Sequence, residues 1–409
     1  MIKRVLGLGT FPAARPVHGG QRRIAAFRDF YQRIGIDYIY ACIYHGDAYA
    51  PEQVGPHDVP LIIPGTDEGP IPLVGDILAG RQGASHEPSF GHFLNIVEQL
   101  RPDALQLEHP FMWPLAKRLR EILGASTLPL IYSSHNVEAP LKDAILASGG
   151  VAFDMRKRIC DGIELMEAEI CAEAALVVCV TAAERSHYLR YCAPDKITIV
   201  PNGVDRPPAV IQQSPRCREI FQDRPFAFMV GSAYPPNIEG ACRYIFRDGA
   251  FMVPPVKSIA VCGGVSNGIL GHPAYQRFLA ANSLRVHFFP EIDDAELWAV
   301  KAASHVVALP IDTGGGSNLK TAEALALGKW IVATSVAMRG YENFMDAEGL
   351  IIANDTSSFR RALAKGLRSP PLSISDASRL RREAVYWDRC FDGSDVADRL
   401  MQLAYSASR

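Results

Sequence analysis

The sequence has no run of eighteen apolar residues, so no segment reads as a membrane-spanning helix. It also has no surplus of one charge. Its 42 Lys and Arg stand against 44 Asp and Glu, a formal net charge of −2 that exerts no pull on nucleic acid. Nine cysteines are scattered singly without a Cys-x-x-Cys pair, and several sit inside apolar runs, as reduced core thiols do. That usage fits a reducing compartment. The amino-terminal stretch Met1–Leu6 reads as a first strand and is shorter than a signal peptide, so the expected location is the cytoplasm. No solenoid-period repeat and no low-complexity tract is present. The familiar phosphate-binding signatures are missing too. No glycine run is followed by Gly-Lys-Ser/Thr, and Gly7-x-Gly9 meets Pro12 where a dinucleotide fingerprint needs its third glycine.

What the chain does have is length and alternation. Its 409 residues, 48% of them hydrophobic, can bury ample core and suggest two domains. Strand-like runs fall near 2–8, 37–44, 104–107, 128–133, 176–180 and 197–200. Helix-like segments lie between them near 21–34, 90–100, 115–123 and 153–174. The stretch 45–88, rich in Pro and Gly, yields no element. After Pro207-Pro208 the pattern restarts, with strands near 226–231, 258–261, 286–289, 306–309, 331–333 and 350–352. Helices are expected there near 238–246, 274–281, 294–302, 319–327 and 359–367. Such alternation predicts parallel sheets covered by helices: two Rossmann-like α/β domains, 1–205 and 206–385. A helical segment, 386–409, is expected to cross back to the first domain, and ligands are expected in a cleft between the two.

One stretch concentrates the chemistry: Thr313-Gly314-Gly315-Gly316-Ser317-Asn318-Leu319-Lys320, followed by Glu323. It lies between an apolar strand and a helix that stops at Gly328. Three glycines let a backbone approach a ligand closely, and a helix start presents unpaired N–H groups at a positive dipole end. Lys320 on the first turn is electrostatically disfavoured unless an anion is near. Phosphate therefore suits the glycines and the lysine, and a sugar hydroxyl suits Glu323. The plainer alternative is a tight-packing turn in which Glu323 closes a capping box with Ser317 or Lys320.

Several motifs together resemble one family. Pro201-Asn202-Gly203-Val204-Asp205 is similar to the interdomain junction of GT-B glycosyltransferases, glycosyltransferase family four in particular. Phe228–Gly231 with Pro236-Asn237 resembles the first strand and loop of their donor domain, and 308–332 resembles their donor-binding signature. Gly19-Gly20 occupies the place of a glycine-rich loop beside the donor diphosphate and the acceptor. Ser133–Glu138 matches the strand-end histidine at His135, and Tyr386-Trp387-Asp388 matches the segment crossing back. The resemblance implies a retaining, metal-independent transfer of sugar from a nucleoside diphosphate to a saccharide or lipid-linked acceptor, without a bound cofactor. No Asp-x-Asp is present to hold a metal. It assigns donor binding to Gly19, Gly20, Gly231, Asn237, Gly314, Gly315, Gly316, Ser317, Asn318, Leu319 and Glu323, and catalysis to His135 and Lys320.

Two features depart from the family. It often carries a second glutamate eight positions before the first, and here Gly315 stands there. The loop after Gly231 reads Tyr234-Pro235-Pro236-Asn237-Ile238-Glu239, with no basic residue. Arg15, Arg22 and Arg23 around Gly19-Gly20 read equally as contacts for a phosphorylated or lipid-linked acceptor and as a solvated face. Phe111-Met112-Trp113 ahead of Lys117, Arg118 and Arg120 reads either as a touch-point for peripheral attachment to a membrane or as the start of a covered helix. Two other functions stay open, a nucleotide-sugar epimerase and a catalytically silent sugar-nucleotide binder.

Overall fold

In a computed structural model of the protein, residues 2–62, 71–124, 128–250 and 257–406 are described. The chain divides into two compact units, Met1–Pro201 with Cys390–Arg409, and Asn202–Arg389.

The first unit is built on a parallel sheet of β1 (Arg4–Gly9), β2 (Asp37–Tyr44), β3 (Val59–Pro60), β4 (Ala104–Leu107), β5 (Leu130–Ser133), β6 (Leu176–Cys179) and β7 (Ile197–Ile199). Their spatial order is β3-β2-β1-β4-β5-β6-β7. Every residue of β4, β5 and β6 is buried, as helices on both faces of a parallel sheet require. Gln106 is the polar member of β4, and its amide accepts from the Tyr31 hydroxyl at 2.5 Å.

The stretch expected to hold no element contains the helix Ile71–Ser85, while 63–70 lie outside the described residues. Its glycines hid it. A Cβ on Gly80 would stand 1.6 Å from the Phe111 carbonyl oxygen, so the helix packs where only glycine fits. Tertiary contact here overrides the weak helix propensity of glycine. Phe111, Met112 and Trp113, the residues considered for a membrane contact, are 2%, 0% and 2% exposed. They belong to the core beneath the helix Trp113–Leu123 and are closed to a lipid surface. Among the described residues no helix is long and apolar enough to cross a membrane.

The chain re-enters this unit at Cys390. Phe391 stacks on Phe30 with ring centroids 4.4 Å apart and meets Phe27 edge-on at 5.0 Å, and Asp392 pairs with Arg33 at 2.7 Å. These contacts precede the helix Val396–Ser406.

The second unit carries β8 (Phe226–Val230), β9 (Ser258–Cys262), β10 (Val286–Phe289), β11 (Val306–Leu309), β12 (Trp330–Ala333) and β13 (Leu350–Ile352), all parallel, in the order β10-β9-β8-β11-β12-β13. β11 shows why the sheet is two-faced. Val306 and Ala308 enter one core and Val307 and Leu309 the other, the period-two alternation of a strand covered on both sides. Val204 is joined to the carboxyl-terminal segment of the same unit, since its N–H donates to the Val385 carbonyl at 2.9 Å and its carbonyl accepts from Trp387 at 3.1 Å. The expected helix 238–246 is the α-helix Pro235–Ala241 running into a π-turn, Cys242–Phe246. The expected helix 274–281 splits into Pro273–Gln276 and Leu279–Ser283.

Each sheet reverses direction once. The first grows outward from β1 and resumes at β4 on the other side; the second grows from β8 and resumes at β11. In open parallel sheets the crevice beyond the strand ends at such a reversal is where ligands bind.

Candidate functional site

In the second unit the reversal brings together the loops that follow β8 and β11. The loop after β11 contains Gly314, Gly315 and Gly316, with Gly314 at φ +141° and Gly316 at φ +58°, conformations that favour glycine. The helix Leu319–Leu327 then begins at Leu319. Asn318, and not Ser317, caps it, its Oδ1 accepting from the Lys320 N–H at 3.3 Å. The buried hydroxyl of Ser317 and side-chain NH2 of Asn318 have no partner among the described residues. Such groups point to a binding role more than a packing one.

The loop after β8 begins at Gly231, whose carbonyl accepts from the Val265 N–H at 3.0 Å, and leads into the helix Pro235–Ala241. On its first turn Asn237 is fixed by a bond from Nδ2 to the Ser232 carbonyl at 3.1 Å. Its Oδ1 accepts from Lys320 Nζ at 2.6 Å, joining the two loops. Burial lowers the Lys320 pKa to about 8, against an opposing pull from Glu323. A lysine held this way regains its full charge when an anion arrives. Glu323 pairs with Lys301 of the helix Asp294–Ala303 at 3.0 Å, and Lys301 is 4% exposed. With Asn318 as the cap, Glu323 stands two residues past the N3 position that a capping box uses.

Two cations here escaped sequence reasoning. Lys301 lies on a helix whose pattern is merely amphipathic. Arg339, after β12, donates from Nε to the Gly316 carbonyl and from Nη2 to the Gly315 carbonyl at 2.9 Å. Gly314 also lies against it, a Cβ there falling 3.3 Å from Nη2. Arg339 is the one cation in the sequence between β12 and β13, and its position beyond a strand end was the available signal.

In the first unit the reversal gathers a different set. Gly19 and Gly20 form the opening turn of the helix Gly19–Arg33 and not a loop ahead of it. His18 precedes them, Glu108 and His109 follow β4, and His135 follows β5. Phe11 sits among the histidines, 4.7 Å from the His18 ring and 4.9 Å from His109, and His109 lies 4.5 Å from His135. His135 Nε2 lies 3.1 Å from Glu108 Oε2. The other oxygen, Oε1, accepts from the Tyr38 hydroxyl at 2.5 Å and from Gln106 Nε2 at 2.6 Å. Burial raises the Glu108 pKa while those two bonds pull it back. Burial also lowers His109 and His135, and brings His18 down to about 4, so all three rings are neutral near pH 7. Glu108 and His109 occupy the same strand-end position that singled out His135, and that argument applied to β4 would have found them. Of the arginines weighed as acceptor contacts, Arg23 is 1% exposed and donates to the Val200 carbonyl at 3.0 Å, so it is not part of a solvated face. Among the described residues no group of three or more His, Cys, Asp or Glu is placed to hold a metal ion.

Comparison with known proteins bears on both halves of the chain. Residues 17–206 match the model of Glycosyltransferase Family 4, and residues 254–369 match that of Glycosyl transferases group 1. No curated protein sequence matches. Among solved structures, sucrose-phosphate synthase from Thermosynechococcus elongatus is similar at TM-score 0.70 and 15% identity, over 99% of this chain and 100% of that one. HepE of Anabaena, solved with UDP and glucose, gives 0.60 at 14% identity over 99% of each chain. The UDP-forming α,α-trehalose-phosphate synthase of Burkholderia vietnamiensis gives 0.62 at 13% identity, again over 99% of each. At such identities the likeness is one of fold.

Proposed function

We propose that this chain, which belongs to the GT-B glycosyltransferases, transfers a sugar from a nucleoside-diphosphate donor to a saccharide or lipid-linked acceptor with retention at the anomeric carbon. The observation that carries the reading is the joined pair of loops at the reversal of the second sheet. There a glycine turn, a helix start and the buried Lys320 meet at Asn237. A diphosphate fits that chemistry because backbone N–H groups and a cation are what a developing phosphate charge needs. Lys320 and the N–H groups of the glycine turn offset the charge that grows on the leaving diphosphate, a task that metal ions perform in other enzymes. Glu323, held by Lys301, receives the ribose hydroxyls.

In the first unit His135 and the opening turn at Gly19 and Gly20 act on the transferred sugar. The donor's own phosphate oxygen serves as the base that activates the acceptor hydroxyl. Surface polysaccharide and glycoconjugate synthesis is the process such a reaction serves.

The test is incubation with a panel of nucleotide sugars, with and without candidate acceptors. Nucleoside diphosphate released together with a new glycosidic product supports transfer. A changed hexose formed without acceptor would replace this reading with epimerisation, and binding without turnover would leave a sugar-nucleotide binder.

A further inference from the structure

His135 has two ring nitrogens in different surroundings. Nε2 faces the Glu108 carboxyl at 3.1 Å, inside a site where Glu108 is 0% exposed. Nδ1 lies 3.4 Å from the point where a Cβ on Gly20 would stand. Residue 20 is glycine, so no side chain of its own stands at that point, which is already closely bordered, with His18 Cε1 3.5 Å away. The Phe11 ring borders the same point, with Cζ 2.7 Å from it.

The hydrogen-bond network decides which nitrogen carries the proton. Oε1 of Glu108 takes the Tyr38 hydroxyl at 2.5 Å and the Gln106 amide at 2.6 Å. The orientation of Gln106 is set in turn, since its Oε1 receives the Tyr31 hydroxyl at 2.5 Å. The two donors on Oε1 and the nearby buried Arg23 favour the ionised carboxylate, against the pull of burial. An ionised Glu108 can only accept from Nε2, which must then carry the hydrogen, and a neutral ring has its lone pair on the other nitrogen.

We propose that Glu108 is a positioning residue that holds His135 as the Nε2–H tautomer, so that Nδ1, the nitrogen turned towards the Gly20 turn, is left to accept a hydrogen bond from a ligand hydroxyl. Gly20 lets the helix start lie close to the ring, because a Cβ there would press on Phe11 and reach within 3.4 Å of Nδ1. The identity of the hydroxyl as one on the transferred sugar rests on the glycosyltransferase reading above; the tautomer does not. A carboxylate that fixes the ring and tautomer of a histidine is a general device for aiming one nitrogen at a substrate.

The experiment reads the tautomer directly. The ligand-free protein is labelled with 15N-histidine and the His135 signals are assigned by their loss in His135→Asn. The expected spectrum has a protonated Nε2 and an unprotonated Nδ1. Glu108→Gln, whose amide can donate to Nε2, inverts the tautomer, whereas Glu108→Asp, which keeps a carboxylate, retains it. In turnover assays Glu108→Gln lowers kcat by about a hundredfold while nucleoside-diphosphate affinity stays within about threefold. Glu108→Asp recovers most of that loss. A proton on Nδ1 in the parent, or an unchanged tautomer in folded Glu108→Gln, overturns the proposal. If Glu108→Gln does not fold, the spectra of the parent and of Glu108→Asp still decide it. If the parent turns over no nucleotide sugar while the tautomers behave as stated, the functional reading fails and the positioning role of Glu108 stands.

Discussion

The ammonium of Lys320 lies 2.6 Å from the side-chain oxygen of Asn237, so a neutral amide is the direct partner of a largely buried cation. Such a pairing leaves the lysine's charge less than fully compensated, and a phosphate oxygen completes it. Lys320→Ala assayed with saturating donor is expected to lose about a hundredfold in turnover, the usual effect of removing one charge-stabilising donor. If Lys320 served helix stability alone, at about 0.5 kcal/mol, turnover would stay near that of the parent.

A pH dependence follows from the same residue. Burial holds the Lys320 pKa near 8, below its ordinary 10.5, and a bound diphosphate raises it again. Below pH 8 the lysine is already charged and adds no pH dependence of its own. Above pH 8 the free protein must take up a proton to bind, so affinity for nucleoside diphosphate falls as pH rises. Calorimetry in buffers of different ionisation enthalpy detects the uptake. Lys320→Arg, which stays charged, is expected to flatten the profile, and a profile unchanged in that variant would rule the lysine out as its source.

Buried Lys301 pairs with the half-buried Glu323 at 3.0 Å, so removing the carboxylate strands the lysine. Glu323→Ala is expected to cost about 3 kcal/mol of stability, because Lys301 would be left uncompensated. Glu323→Gln keeps the side chain's volume and separates binding from folding. It should weaken nucleoside-diphosphate binding by more than about tenfold, with the loss seen in calorimetry on protein shown to be folded. Unchanged affinity would leave Glu323 a purely structural partner of Lys301.

Gly20→Ala places a methyl group 2.7 Å from the Phe11 ring and 3.4 Å from His135 Nδ1. The ring must shift, at a cost of about 1 kcal/mol. Turnover is expected to fall by about tenfold or more, because the displaced Phe11 ring and the new methyl crowd His135. Denaturant unfolding and steady-state kinetics measured together separate the two effects, and parent-like kinetics would show that the His135 side of the Gly20 turn is not used.

Two buried carboxyls of the first unit make its stability depend on pH. Burial raises Glu138 to about 8 and Glu167 to about 7, both from 4.5. Raised carboxyls favour the folded state while protonated, so their contribution is complete below pH 4.5 and is lost as pH rises towards 7 and 8. Above pH 6.5, past the range in which the lowered His18, His109 and His135 act in the opposite sense, unfolding free energy should decline towards pH 8, and Glu138→Gln should make that decline shallower. A slope unchanged by that substitution would assign the dependence elsewhere.

The sequence by itself determined the two parallel sheets, because strands covered on both faces must be largely apolar, as 176–179 and 306–309 are throughout. It determined the glycine turn as well, since Gly314 and Gly316 stand where the backbone turns to positive φ. Lys320 was legible for a local reason too, its place on the first turn of a helix. Tertiary structure decided the rest. The helix Ile71–Ser85 forms around a glycine chosen for its closeness to Phe111, which local propensity argues against. The partners of the candidate residues are remote in sequence: Asn237 for Lys320, Lys301 for Glu323, Glu108 for His135, and Arg339 for the glycine turn. Each of those partners lies beyond a different strand or on a different helix, and nothing in local pattern says which side chains will meet. They meet because each sheet reverses its direction once, and that reversal is set by long-range packing.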